Sequence, residues 1–281
     1  MPASARPLAL RIGALLIAAA PLALATWTGA ARAERTAGGY HVMLTPEYAR
    51  ATGRIAPQPS AGLMLYYGGT VFASVKVVSV MWGPNVNPTT VAGIPGFSAA
   101  IVDSTFMDGM AQYDTHRKAV GGRGGTQQFI GRGSYLGQYV ITPQNTSTAL
   151  ADLDVQTELQ HQARAGHIPP RDPTTLYMVY FPASVSIELD GMVSCSAFLA
   201  YHFATITYAA SHELAEAVTD NIPTPGTNPL FPQSWNTSGG YEIADLCGGG
   251  GLLAKGASSW TVTQYYLNST GRCSTGNYTS P

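Results

Sequence analysis

Val71-Phe72-Ala73-Ser74-Val75-Lys76-Val77-Val78-Ser79-Val80-Met81-Trp82 is the stretch on which the fold turns. Its valines are β-branched, its apolar character is nearly continuous, and it stops at Gly83-Pro84, so it predicts a buried strand. Downstream, Ile101, Val102, Thr105, Phe106, Met110 and Tyr113 recur at steps of three and four residues, which predicts a helix between Ser98 and Tyr113. The glycine-rich Gly121 to Gly133 leads into a second strand, Tyr135 to Ile141. A second helix is expected from a cap at Asn145 or Thr146 to about Arg164, with Gly166 ending it. Leu176 to Phe181 reads as a central strand closed by Pro182, and Ala204 to Asp220 as a third helix, with a short strand through Phe203 to Thr207 as an alternative start. Strands and helices alternate, which points to an α/β (α+β) layered fold with one mixed β-sheet and packed helices. We expect a single domain over residues 63–281.

The N-terminus bears on compartment. Arg6 and Arg11 precede or flank an apolar stretch from Ile12 to Thr26, and Ala31-Arg32-Ala33 then supplies a small-x-small cleavage pattern. Residues 1–33 therefore read as a secretory signal cleaved after Ala33; the apolar core of about 15 residues is short against the roughly 20 of a spanning helix. Removing 33 of 281 residues leaves 248, enough for one large domain. Residues 34–62 carry no sustained periodicity and read as a flexible or surface-draped arm. The expected product is secreted or periplasmic, without stable membrane association. A net charge of −1 gives no basic stripe with which to bind nucleic acid.

Three cysteines follow the leader: Cys195, Cys247 and Cys273. An oxidising compartment favours one disulfide and one remaining thiol. Cys247 and Cys273 enclose a short loop and are the preferred pair, stabilising the fold by about 3 kcal/mol in the chain-entropy model; pairing with Cys195 is the alternative.

The chemistry concentrates in His212-Glu213-Leu214-Ala215-Glu216. Residues four apart on a helix lie about 40° apart around its axis, so His212 and Glu216 can reach one ion. Glu213 sits about 100° from His212, where a general base can take a proton from an activated water. The arrangement is that of a His-Glu-x-x-His metallohydrolase helix with glutamate as the second ligand. That glutamate adds negative charge and makes the bound water less acidic.

A catalytic zinc needs a third protein ligand. Tyr241-Glu242-Ile243-Ala244-Asp245-Leu246-Cys247 is the best source, with Glu242 preferred and Asp245 the alternative. If this segment is helical, one acid can bind metal while the other orients His212. Asp220 can act behind the ligands or simply end the helix, and His202 is a further alternative ligand. Five of the chain's 16 acidic residues, Glu213, Glu216, Asp220, Glu242 and Asp245, crowd into this short span around one histidine, and a bound cation relieves such crowding. Tyr265, Tyr266 and His202 are candidates to stabilise a developing oxyanion.

Tyr66-Tyr67-Gly68-Gly69, Met81-Trp82-Gly83, Tyr201-His202, Ser211 through Asp220, Glu242 through Cys247 and Trp260 through Tyr266 together resemble the phosphate-induced protein 1 family, the Exordium-like proteins, and its bacterial relatives. The resemblance spans about residues 63 to 273. It implies export and a zincin-like helix motif, and through that motif a protease activity. Two features depart from the family pattern: Asn221 follows Asp220 in place of the usual proline, and the spacing from Tyr201-His202 to the His212 helix is short.

The expectation is a secreted, zincin-like metallopeptidase acting on peptide or cell-wall substrate. In it His212, Glu216 and Glu242 hold Zn2+, and Glu213 activates water. The competing expectation is a non-catalytic module that binds Ca2+ or a structural zinc and recognises wall polysaccharide through exposed tyrosines.

Overall fold

The structure is a computed structural model that describes residues 13–15, 63–189, 192–193, 203–222 and 229–276. The expected cleavage after Ala33, the arm over 34–62, Cys195 and His202 lie outside the described residues, as does all of the expected leader but 13–15.

In chain order the strands are β1 (Gly13–Leu15), β2 (Leu65–Tyr66), β3 (Lys76–Trp82), β4 (Ser134–Ile141), β5 (Ala149–Ala151), β6 (Thr175–Tyr180), β7 (Ser186–Leu189), β8 (Met192–Val193), β9 (Trp235–Asn236), β10 (Gly250–Lys255), β11 (Ser258–Thr263), β12 (Tyr265–Leu267) and β13 (Arg272–Ser274). The α-helices are α1 (Pro88–Ile101), α2 (Thr105–Asp108), α3 (Asp152–Arg164) and α4 (Phe203–Thr219), and a 3-10 turn covers Gly109–Tyr113. The protein is thus of mixed α and β structure.

The central sheet has the order β1-β6-β3-β4, and every pairing in it is parallel. The expectation of one mixed sheet is corrected. Among the described residues, antiparallel pairs occur only in small separate sheets, β2-β9, β10-β11, β12-β13 and the β7-β8 part of β5-β7-β8. Segments containing helices separate β3 from β4 and β3 from β6, as parallel neighbours require.

Side chains alternate across β3 and β6 and build two cores. Val77, Met81, Leu176, Met178 and Tyr180 pack with residues of α1 and α4, while Val78, Val80, Trp82, Tyr177, Val179 and Phe181 pack with Val155 and Leu159 of α3. Both faces of the central strands are covered, which explains why their sequences read as continuous apolar runs.

Two expected helices have different limits. The helix foreseen over Ser98 to Tyr113 is three pieces. α1 begins earlier, where Asn87 accepts the Thr89 N–H at 2.8 Å and Pro88 occupies the first turn. Ser104 then opens α2 by accepting the Phe106 N–H at 3.2 Å. α3 begins at Asp152 rather than near Asn145, because Ala149–Ala151 is drawn into β5 beside β7. Asp154 then accepts the Ala151 N–H at 2.8 Å. Asn145 instead accepts the Ser147 N–H in a local turn at 3.0 Å. Beyond α3, Gly166 takes φ 77°, the left-handed conformation that stops a helix. Phe203 to Thr207 is helical, not a strand.

Candidate metal centre

Helix α4 is rich in alanine and buried nearly all round, as expected of a helix set between layers. Its depth is fixed by hydroxyls. Thr207 donates to Thr261 O at 2.7 Å, and one turn later Ser211 accepts the Thr263 N–H at 2.8 Å while donating to Tyr208 O at 2.6 Å. Four residues of helix rise about 6 Å and two residues of strand about 6.6 Å, so strand β11 can dock on α4 at both points. His212 follows Ser211 directly.

His212 Nε2 lies 3.0 Å from Glu216 Oε1 and 3.6 Å from Asp245 Oδ1. One ligand atom from each residue falls within 4.8 Å of the others. The three side chains are only 6%, 7% and 8% exposed. Neither Glu216 Oε1 nor His212 Nδ1 has a hydrogen-bond partner among the described residues. A ring nitrogen and a carboxylate oxygen that approach this closely are disposed as two ligands of one ion would be. Zinc bonds of about 2.0–2.2 Å set tetrahedral ligand atoms about 3.4 Å apart, a value that 3.0 and 3.6 Å bracket. One imidazole and two carboxylates are a chemically suitable donor set.

Burial opposes the charged form of His212, but the carboxylates of Glu216 and Asp245, with Glu213 farther out, outweigh it and hold the imidazole pKa well above the ordinary histidine value. The site draws positive charge whether a proton or a cation supplies it. Glu213 is on the next position of α4 and is partly exposed.

The third residue in the cluster is Asp245; Glu242, the preferred third ligand from sequence, is not in the converging group. Residues 243–246 form a turn instead of a helix, so the two acids do not share a face. Glu242 contributes its backbone N–H to Asp245 Oδ2 at 3.1 Å. Asp220 is fully buried at the end of α4, where it accepts from the Ser234 N–H at 3.0 Å and Asn236 Nδ2 at 2.6 Å and ties the helix end to β9. Tyr265 is also corrected: its buried hydroxyl donates to Phe106 O at 2.6 Å, which commits it to the core rather than to an oxyanion.

Cys247 and Cys273 form the expected disulfide, two residues beyond Asp245, with Cα atoms 5.8 Å apart. The bridge fits an oxidising compartment. No helix among the described residues is long and apolar enough to cross a membrane.

Sequence reasoning did not single out Thr207 and Ser211. Their signal was small hydroxyl residues four apart on an otherwise apolar helix, a pattern that marks hydrogen bonding within a core.

Searches against family models, curated proteins and solved structures found no match to this chain.

Proposed function

We propose that the protein is an exported metal-dependent hydrolase, most simply a zinc peptidase, in which His212, Glu216 and Asp245 hold the ion and Glu213 is the general base. The observation that carries this reading is the convergence of one imidazole nitrogen and two carboxylate oxygens, buried together, with Glu216 Oε1 lacking a hydrogen bond among the described residues. The likeness of Ser211 through Asp220 to the Exordium-like proteins supports the same reading at the level of motif, including a zincin-like fold.

Zinc held by His212, Glu216 and Asp245 would supply Lewis acidity toward a scissile carbonyl and a water. α4 fixes His212 and Glu216 one turn apart, and the 243–246 turn brings Asp245 to them. The Glu213 carboxylate takes the proton of the attacking water and passes it to the leaving amine. Two carboxylates leave the ion less electrophilic than a pair of histidines does, so a slow enzyme is expected.

The test is metal analysis of purified protein, followed by peptide hydrolysis by wild type and Glu213→Gln. The proposal expects near-stoichiometric zinc in both, and a loss of hydrolysis of about 100-fold or more in the variant. Absence of zinc, with activity and melting temperature unmoved in Glu213→Gln, would sink it.

The near-complete burial of all three ligands favours a second reading, a structural ion in a non-catalytic module that recognises wall polysaccharide. On that reading chelation lowers the melting temperature and Glu213→Gln changes nothing. The imidazole favours zinc over calcium in either case.

A further inference from the structure

We infer that the β12-β13 hairpin is the positioning element for Asp245, gripping its turn at two points so that metal affinity depends on the Cys247–Cys273 bridge. The inference rests on the metal-site reading above.

Tyr266 and Cys273 are directly opposed in the β12-β13 ladder. Each holds one end of the acidic turn. Tyr266 N–H donates to Ile243 O at 2.8 Å, two residues before Asp245. Cys273 is bonded to Cys247, two residues after it. Within the turn, Cys247 N–H donates to Ala244 O at 3.0 Å and Glu242 N–H to Asp245 Oδ2 at 3.1 Å. That leaves Oδ1 as the oxygen 3.6 Å from His212 Nε2.

The hairpin is itself immobilised. Tyr265 donates to Phe106 O at 2.6 Å, and Tyr113 donates to Tyr266 O at 2.5 Å. β12 also continues from β11, the strand docked on α4 through Thr207 and Ser211. One ribbon of chain therefore references both halves of the site, the helix ligands at its start and Asp245 at its end. Cutting the bridge releases only the C-terminal end of the turn. The core between α4 and the sheet keeps its contacts, but Asp245 loses its fixed distance to His212.

The experiment measures zinc affinity by competition with a chromogenic chelator, and the visible spectrum with Co2+, for four proteins: wild type, Cys247→Ser/Cys273→Ser, Asp245→Asn and the triple variant. Removing the bridge is expected to weaken zinc about 10- to 100-fold, the range for lost ligand support, and to reduce the tetrahedral cobalt absorption while far-ultraviolet circular dichroism is unchanged. In the Asp245→Asn background the same removal should change affinity less than about twofold, because no ligand remains for it to position. Equal affinity with and without the bridge, or an equal loss in both backgrounds, would overturn the inference. If wild type binds no zinc, the metal reading falls and this inference with it; zinc bound indifferently to the bridge overturns the inference alone. Should the serine pair not fold, native protein is treated with a water-soluble phosphine. The phosphine attacks one sulfur and breaks the S–S bond, and a water then supplies the oxygen of the phosphine oxide and the protons of the two thiols, which are alkylated so that neither ligates. The same outcomes decide.

Discussion

His212 Nε2 and Asp245 Oδ1 stand 3.6 Å apart, joining the buried face of α4 to a turn far along the chain. Glu242 lies three residues before Asp245 but gives that aspartate a backbone N–H. Asp245→Asn should therefore weaken zinc binding at least about 100-fold, more than the 10- to 100-fold typical of residues behind a ligand. Glu242→Gln keeps the same N–H and should change it less than about threefold. Isothermal titration with zinc distinguishes them, and the reverse order would restore Glu242 as the third ligand.

Why spacing alone preferred Glu242 is instructive. Both acids fit a wide range of downstream ligand positions, and the choice depends on whether residues 243–246 coil as a helix or close as a turn. That depends in turn on the Tyr266 N–H and Cys273, which are distant in sequence. The central strands were legible because Val77 to Met81 and Leu176 to Tyr180 are covered on both faces and must be apolar throughout. The start of α1 was not, since Pro95 lies inside it and resembles punctuation. Nor was the loss of Tyr265 to the core, because its partner, Phe106 O, belongs to a different part of the chain. His212 and Glu216 were legible as a pair because helical spacing alone sets them on one side.

Asp220 separates a structural acid from those of the proposed metal site. A carboxylate at a helix C-terminus faces the negative end of the helix dipole and survives there only with strong donors. Ser234 N–H and Asn236 Nδ2 supply them in a fully buried setting. Asp220→Ala should destabilise the fold by about 2–4 kcal/mol, leaving buried donors unmatched. Zinc affinity, measured where the variant is still folded, should remain within about threefold of wild type, since the converging group does not include Asp220. Urea unfolding and zinc titration on the same sample check both halves.

Acid stability should carry a signature of Asp172. The Lys76 ammonium at 2.6 Å, then the hydroxyl and N–H of Thr174, hold the Asp172 carboxyl well below the ordinary carboxylate range. A depressed folded pKa contributes stability that is fully present above the unfolded value of about 3.9 and is lost as pH falls through the folded one. The pair is partly exposed, with side chains 42% and 41% accessible, so screening keeps its contribution small. Wild type should exceed Asp172→Asn in urea midpoint at pH 6, and the gap should shrink from pH 4 to pH 2. A gap that widens on acidification contradicts the assignment.

Gly109 and Tyr265 test how tightly the hairpin is seated. A Cβ at Gly109 would stand 2.2 Å from the Tyr265 hydroxyl oxygen, which is already donating to Phe106 O. Gly109→Ala must push that oxygen away, break its bond and open the β12 contact, at a cost of about 1–3 kcal/mol. Tyr265→Phe removes the oxygen and leaves Phe106 O without this donor, costing about 1–2 kcal/mol. The double variant should be less unstable than the sum, because the added methyl then occupies space the hydroxyl has vacated. Thermal unfolding of the four proteins gives the coupling. If the two costs simply add, the contact between Gly109 and Tyr265 does not limit the seating, and the support of the Asp245 turn rests on Tyr113 and the disulfide instead.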